Sequence, residues 1–154
     1  MTDAPTTVAI ERLVPHRGGM LWLDRVLHVD DDLVIAEAVV RDDHPLLADE
    51  AVPAFAGLEY MAQAIAAWAG CRARSAGREP SIGFLLGTRR YESRVTWFVA
   101  GALLRVEATR ELLGDNGLGM FRCRILEDGD ELATANVSVF EPPDAMAYLE
   151  STPQ

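Results

Sequence analysis

The sequence predicts an α+β domain in which an antiparallel sheet wraps around one long central helix. Two strand-like segments come first, a long apolar helix follows, and four more strand-like segments complete the chain. Because only one helix is visible and no G-x-G-x-x-G motif opens it, an alternating β-α-β arrangement is disfavoured. A sheet that curls around the helix is the simplest way to bury it.

The first two segments form a predicted hairpin. β-Branched and aromatic residues nearly alternate with polar ones over residues 21–29 and 33–40. Asp30, Asp31 and Asp32 separate the two runs, which indicates an acidic turn. Residues 41–53 then form a loop rich in Asp, Glu and Pro, which ends at Pro53.

Residues 54–74 are predicted to form the central helix, since Ala, Leu, Met, Trp and Gln dominate them. Large apolar residues cover one side and small ones another, so the helix should be buried nearly all round. The large residues are Phe55, Leu58, Met61, Ile65 and Trp68, and the small ones are Ala62, Ala66, Ala69 and Ala73. Gly77 and Pro80 are expected to end the helix.

Four strands are predicted after the helix, over residues 82–94, 102–113, 118–127 and 132–140. The turns between them contain Gly101, residues 115–117 (Asp-Asn-Gly) and residues 128–130 (Asp-Gly-Asp). These are typical hairpin residues, so we expect the strands to follow one another antiparallel.

Length and composition indicate one domain over residues 1–154, with a core at about 11–141 and flexible ends. Residues 1–7 and the tail after Pro142 and Pro143 are the expected loose segments. Since no apolar run reaches the ~20 residues of a membrane span, we expect a cytoplasmic protein. Cys71 and Cys123 lie far apart without a CxxC motif or a nearby His, which favours buried free thiols and no metal site.

The charge pattern limits the classes of function. The net charge is −10, which argues against a nucleic-acid partner. All 14 basic residues are Arg, so the lysine chemistry of Schiff bases and of P-loops is excluded. Residues 72–94 nevertheless carry six Arg and only two acids. That basic stretch is either a binding surface for an acidic partner or simply a solvated face.

Several motifs carry a family resemblance. Residues 14–17 (Val-Pro-His-Arg) and 20–26 (Met-Leu-Trp-Leu-Asp-Arg-Val) resemble the PHR-x-x-x-LLVDRV opening of FabZ-type 3-hydroxyacyl-[acyl-carrier-protein] dehydratases. His44, Pro53 and residues 58–63 (Leu-Glu-Tyr-Met-Ala-Gln) are similar to that family's HFPGxPVMPGVLxLEALAQ block. Residues 87–91 and 99–104 are similar to its later strand motifs. The combination looks most like the divergent ApeP branch of aryl polyene biosynthesis.

The chain also departs from the family pattern. His44 lies 15 residues before Glu59, where the family has 14, and residues 46–50 (Leu-Leu-Ala-Asp-Glu) replace a Gly-rich segment. Where the family has Pro-Gly at the start of the helix, this chain has Pro53-Ala54. Within the family the loop His and the helix Glu form the catalytic pair. The departures therefore affect the expected role of His44 more than the expected role of Glu59.

The resemblance implies a hot-dog fold and a hydro-lyase that needs no cofactor. Dehydration of a 3-hydroxyacyl thioester requires a base, an acid at the leaving oxygen and a donor to the enolate-like oxygen. Glu59, on the most apolar helix, is the predicted acid, with a pKa raised by burial. The alternative is an exposed first-turn Glu favoured by the helix dipole, or one paired with an Arg.

His44 is the first candidate for the base and His16 the second, although either could be structural. His28, within a predicted strand, is expected to be a packed or exposed residue. Gln63, one helical turn after Glu59, could hold its rotamer or be a satisfied core amide. The backbone N–H groups of Ala54, Phe55 and Ala56 lack intrahelical partners, so they could stabilise the thioester oxyanion.

The expected partner is an acyl carrier protein with its phosphopantetheine-linked chain, contacted by Arg89, Arg90 and Arg94. The resemblance also implies pairing of hot-dog domains edge to edge, as a homodimer or as a heterodimer. Two alternatives stay open. The chain could be a non-catalytic or half-catalytic subunit that completes an active dehydratase, or a hot-dog thioesterase whose helix acid activates water.

Overall fold

The computed structural model describes residues 8–78 and 84–141. One α-helix and eight strands make up these residues, together with three short 3-10 helices at Ile10–Arg12, Gly18–Met20 and Ala54–Ala56. The elements are β1 (Arg25–Val29), β2 (Leu33–Val39), β3 (Ala51–Pro53), α1 (Gly57–Ser75), β4 (Phe84–Ser93), β5 (Trp97–Val99), β6 (Leu103–Leu113), β7 (Leu118–Glu127) and β8 (Asp130–Phe140).

The predicted architecture of a sheet around one helix is confirmed. Six strands form an antiparallel sheet in the order β1-β2-β6-β7-β8-β4, and β3 pairs with β5 in a small second sheet. Every strand of the large sheet contacts α1. The strands on either side of the helix in sequence therefore belong to one sheet, whose described edges are β1 and β4.

The helix is buried as its composition predicted, but its start differs. Residues 54–56 form a 3-10 turn, and the α-helix runs from Gly57 to Ser75. Tyr60, Met61 and Ala64 are fully buried against the sheet. Phe55 was expected on the buried side, yet 67% of it is exposed, whereas Ala54 and Ala56 on either side of it in the 3-10 turn are buried.

The prediction of one strand over residues 21–29 was partly wrong. Only Arg25–Val29 is strand, and a 3-10 turn followed by irregular backbone precedes it. Leu21, Trp22 and Leu23 are buried one after another, which a strand with one solvent-facing side does not allow. The short strands β3 and β5 were not predicted.

Strands β6 to β8 and their turns agree closely with the pattern. The expected antiparallel succession is wrong for β4, because β4 pairs with β8 at the edge of the sheet instead of with β6, and the short strand β5 lies between β4 and β6 in the chain. β7 has the predicted bounds, and Asp128 and Gly129, both with positive φ, form the two-residue turn to β8. Cys123 is buried, Cys71 is half-buried, and both are free thiols. The expectations for residues 1–7, for Pro80, for the first part of strand 82–94 and for the tail from Pro142 lie outside the described residues. Within the described ranges, no helix combines the length and apolar character needed to cross a bilayer.

Candidate active site

Glu59 and His16 are brought together at the centre of the candidate site. The Nε2 atom of His16 lies 3.3 Å from Oε1 of Glu59, and about a third of the Glu59 side chain is exposed. Glu59 belongs to the first turn of α1, whereas His16 belongs to the loop before the 3-10 turn Gly18–Met20. The structure therefore joins the second histidine candidate, rather than the first, to the glutamate.

Gln63 holds both parts of this pair in place. It is fully buried, and its amide Nε2 donates to Oε1 of Glu59 (3.1 Å) and to the carbonyl of Met20 (2.8 Å). Its Oε1 accepts from the backbone N–H of Trp22 (2.9 Å). One side chain thus orients the carboxylate and ties the histidine-bearing loop segment to α1.

The charge state of Glu59 differs from the expectation. Burial alone would raise the pKa of Glu59, but the hydrogen bonds from His16 and Gln63 and the charge of His16 together outweigh it. The pKa of Glu59 therefore lies below its ordinary value. The prediction of a pKa raised by burial is corrected, because the hydrogen-bond partners supplied by the loop and by α1 favour the carboxylate.

An apolar pocket extends from the Glu59–His16 pair. Its lining includes Ala62, Ala66 and Ala69 of α1, Leu85 of β4, and Val139 and Phe140 of β8. The three alanines lie on the same helix face as Glu59, at spacings of three and four residues. The pocket is thus a space for an apolar chain next to a paired carboxylate and imidazole.

His44 lies in a different environment. Its ring is 7% exposed and packs against Trp22, with 4.2 Å between ring centroids. Its Nδ1 accepts a hydrogen bond from the backbone N–H of Leu46 (3.0 Å), whereas Nε2 is buried and has no partner among the described residues. Burial lowers the pKa of His44, against an opposing effect of Asp43. The neutral ring therefore carries its proton on Nε2, and the lone pair of Nδ1 already accepts the hydrogen bond from the Leu46 N–H.

The helix start offers fewer free donors than expected. The N–H of Ala54 donates to the carbonyl of Thr96 (2.9 Å), so it is not available to a substrate oxygen. This corrects the prediction that Ala54 supplies such a donor. The Phe55 N–H has no acceptor among the described residues outside the helix, and the first N–H groups of a helix lack intrahelical acceptors. The N–H groups of Phe55 and Ala56 are thus the donors that stay available at the helix start.

The three arginines proposed to meet a carrier protein are all exposed. Arg89 and Arg90 lie on β4, and Arg94 directly follows it. His28, expected to be structural, contacts Asp30 with 2.9 Å between Nε2 and Oδ2. His28 lies in the β1–β2 hairpin rather than in the pocket. Among the candidate catalytic side chains, the structure brings Glu59 into direct contact with His16 and with Gln63.

Sequence reasoning did not single out Tyr91. Its hydroxyl donates a hydrogen bond to the carbonyl of Ala54 at the helix start. Tyr91 was noted only as part of a strand motif, and strand alternation gives no signal for its direction because β4 is irregular at this point.

The fold and the site together define a hot-dog protein whose central helix carries a paired carboxylate. Residues 8–150 match the family model described as ApeP-like, ApeP dehydratase. The chain therefore belongs to the ApeP-like dehydratase family, as the sequence motifs indicated. None of the curated proteins matches the chain.

Solved structures give the same result. The chain is similar to a chain of "The Dehydratase Heterocomplex ApeI:P from Xenorhabdus doucetiae", with 28% identity, a TM-score of 0.86, and coverage of 96% of this chain and 100% of that one. A point mutant of the phenylacetic acid degradation protein PaaI from Thermus thermophilus is 21% identical, with a TM-score of 0.59 over 79% of this chain and 94% of that one. Cj0977 from Campylobacter jejuni is 13% identical, with a TM-score of 0.58 over 90% and 89%. The last two support the fold alone.

Proposed function

We propose that this protein dehydrates 3-hydroxyacyl thioesters carried on an acyl carrier protein to trans-2-enoyl thioesters, in fatty-acid-like or aryl polyene biosynthesis. The observation that carries the proposal is the contact between Glu59 and His16 beside an apolar pocket. A dehydratase needs one group that takes a proton from C2 and a second that gives a proton to the hydroxyl oxygen on C3, next to a space for the acyl chain.

The reaction transfers one proton to the site and another from it. One group takes a proton from C2, and the electron pair forms the C2–C3 double bond while the C3–O bond breaks. The departing oxygen takes a proton from the second group and leaves as water. Because His16 and Glu59 are in hydrogen-bonding contact, the proton gained by one can pass to the other and restore the pair.

The pKa of Glu59 suggests how the two roles are divided. Since hydrogen bonds from His16 and Gln63 hold that pKa below its ordinary value, Glu59 enters the cycle as a carboxylate. Glu59 is then the proton acceptor at C2, and His16 in its imidazolium form is the donor to the leaving oxygen. This division reverses the one expected from the sequence.

Negative charge also develops on the thioester oxygen when the C2 proton leaves. The Phe55 N–H is the proposed donor to this oxygen, because it is an unpaired donor at the positive end of α1. Phe55 lies in the 3-10 turn directly before α1, and Glu59 lies in the first turn of that helix. The thioester would therefore span from Phe55 to Glu59, with its acyl chain along the alanines.

We further propose that exposed Arg89, Arg90 and Arg94 bind the acyl carrier protein and its phosphopantetheine phosphate. Carrier proteins are acidic, and Arg binds phosphate through several donors at once. These residues stand out because the protein as a whole is acidic, with a net charge of −10. A local basic surface is what an acidic protein needs to meet an acidic partner.

A second hot-dog subunit is the other proposed partner. β4 is an edge of the large sheet, and Leu85 and Leu86 on it are 44% and 59% exposed. An uncovered edge strand with exposed apolar residues favours pairing with another sheet. The ApeI:P heterocomplex named above suggests that the partner is a different hot-dog chain, although a second copy of this chain would meet the same edge.

The test is dehydration of 3-hydroxyacyl carrier-protein substrates by the purified chain, alone and together with a second hot-dog subunit, followed by mass spectrometry of the acyl group. The wild type should release one water, and Glu59→Gln should lose at least about 100-fold in turnover. Glu11→Gln is the matched control, since Glu11 is exposed on a separate 3-10 turn.

The other outcomes identify the alternatives. If turnover needs the second subunit and survives Glu59→Gln, the chain is a supporting subunit rather than the catalytic one. If the product is the free acid, the protein is a thioesterase. If neither form releases water or acid from any carrier substrate, the proposed reaction is wrong.

A further inference from the structure

A bulge in β4 determines where Tyr91 points. The register against β8 shifts between Arg89 and Glu92, so β4 contains an extra residue at this point. Arg90 has φ 54°, in the left-handed region that residues other than Gly rarely adopt. As a result Arg89 and Arg90 are both exposed, while Tyr91 turns inward and is half-buried.

Gly57 provides the space that the Tyr91 phenol occupies. A Cβ atom on Gly57 would lie 2.1 Å from the Tyr91 hydroxyl, closer than any real contact. The hydroxyl rests on the first turn of α1 and donates to the carbonyl of Ala54. Burial raises the pKa of Tyr91 to about 12, so the hydroxyl keeps the proton that it donates.

The Ala54 carbonyl and the Phe55 N–H belong to one planar trans peptide unit. Whatever fixes the direction of the carbonyl therefore fixes the direction of the N–H, which points the opposite way. The carbonyl accepts from both the Tyr91 hydroxyl and the Gly57 N–H. Two donors on one carbonyl also polarise the peptide, and a polarised peptide is a stronger N–H donor.

We propose that Tyr91 is a positioning residue, whose hydroxyl holds the Ala54 carbonyl and thereby aims the Phe55 N–H at the thioester oxygen of the substrate. This inference rests on the proposed dehydration. Three separate features serve the arrangement: the bulge at Arg90, the missing side chain at Gly57 and the hydrogen bond itself. The edge strand β4 thus helps to build the helix start as well as to present the arginines.

Tyr91→Phe tests the inference in the protein together with whatever partner subunit its activity needs. It removes the hydroxyl and keeps the ring. We expect kcat to fall about tenfold, which is less than the loss of a whole oxyanion donor, with little change in KM. Tyr60→Phe is the matched control, because the Tyr60 hydroxyl is buried with no partner in residues 8–78 and 84–141, and its removal should leave kcat unchanged.

A spectroscopic measurement separates positioning from stability. The infrared stretch of a trans-2-butenoyl thioester of pantetheine, labelled with ¹³C at its carbonyl, should shift to lower frequency on binding the wild type. The shift should shrink in Tyr91→Phe and persist in Tyr60→Phe. Gly57→Ala keeps the hydroxyl but displaces it, so it should reproduce both effects of Tyr91→Phe.

The inference is overturned if the wild type is active and Tyr91→Phe keeps both the wild-type kcat and the wild-type carbonyl frequency. A fall in kcat with an unchanged frequency also overturns it, since this would mean that Tyr91 acts only through stability. If the wild type dehydrates no substrate, the proposed function fails, and the carbonyl frequency of the bound thioester alone then decides for or against the role of Tyr91.

Discussion

The Nε2 atom of His16 lies 3.3 Å from Oε1 of Glu59, although the first hairpin separates the two residues along the chain. The loop before β1 supplies the imidazole, and the first turn of α1 supplies the carboxylate. Their distance therefore depends on how that loop lies against the helix. Gln63 controls this contact, since it bonds to Glu59 on one side and to the backbone of Met20 and Trp22 on the other.

Replacing His16 should raise the pKa of Glu59. In the wild type, burial raises this pKa, and the hydrogen bonds from His16 and Gln63 together with the His16 charge bring it below the ordinary value. His16→Ala removes two of the three lowering effects and leaves the hydrogen bond from Gln63 as the one that still opposes burial. The titration of the Glu59 carboxyl, followed by ¹³C NMR of labelled Glu, should move to higher pH in the variant.

The same shift has a consequence for stability. A carboxyl whose folded pKa is depressed stabilises the protein above its unfolded pKa of about 4.3 and loses that contribution as the pH falls through the folded pKa. Between about pH 5 and pH 3, the free energy of unfolding measured in urea should therefore fall less for His16→Ala than for the wild type. An identical Glu59 titration in both proteins would contradict the electrostatic role given to His16.

The two candidate histidines should respond differently to substitution. His16→Ala should lower turnover by about 100-fold or more, because it removes a proton-transfer partner of Glu59. His44→Ala should instead lower the free energy of unfolding by about 2 to 3 kcal/mol, because the buried ring packs against Trp22 and its loss leaves a cavity. Turnover per folded molecule should stay near the wild-type value.

Steady-state kinetics and urea unfolding of both variants check this prediction. A His44→Ala protein that is folded but inactive would show that His44, rather than His16, exchanges protons with the substrate. The contact of Nδ1 with the Leu46 N–H argues against that outcome, since it occupies the lone pair that a base would use.

Gln63→Leu should damage both stability and catalysis. The variant keeps the side-chain volume but leaves the N–H of Trp22 and the carbonyl of Met20 without their partner. At roughly 1–3 kcal/mol for each buried group left unpaired, we expect a loss of about 3 kcal/mol in the free energy of unfolding. Turnover should fall as well, because the Glu59 carboxylate loses one of the bonds that orient it.

Glu59→Gln is the control for Gln63→Leu, because it leaves the contacts of Gln63 with Met20 and Trp22 in place. Urea denaturation should show near wild-type stability for Glu59→Gln and a clear loss for Gln63→Leu. Equal stability of the two variants would mean that the buried amide does not anchor the loop.

Long elements were predictable because their signals are local and repeated. The apolar helix and the four late strands were recognised from periodicity and turn residues, and β7 was predicted with its actual bounds. The strands β3 and β5 were not predicted, because each has only three residues and is defined by its pairing with the other. Residues 21–23 were assigned to a strand because a short apolar run does not distinguish a strand from a buried irregular segment.

The same contrast applies to the site. Glu59 and Gln63 are candidates from the sequence because their block, residues 58–63, resembles the family motif and because a carboxylate and an amide one turn apart on an apolar helix are visible in sequence. The choice between His16 and His44 depends on loop geometry, including the positive φ of Gly18, which the spacing of residues does not encode. The role of Tyr91 depends on a bulge at Arg90, a residue whose type gives no sign of a left-handed backbone.

The pocket beside Glu59 makes a prediction about the acyl chain. Ala66 lies two helical turns after Glu59 and lines the pocket together with Leu85 and Val139. A larger side chain at this position should occupy the space that the far part of an acyl chain requires. Ala66→Leu should therefore raise KM for long 3-hydroxyacyl substrates and leave the shortest accepted substrates nearly unaffected.

The control is Ala76→Leu, at an exposed position just after the helix, which should leave KM unchanged for every chain length. The measurement is kcat/KM against chain length for the wild type and both variants. At about 0.8 kcal/mol for each methylene excluded from an apolar site, the loss should grow about fourfold for each carbon that no longer fits. A uniform loss at all lengths would instead mean that Ala66 supports the fold of α1 and that the acyl chain lies elsewhere.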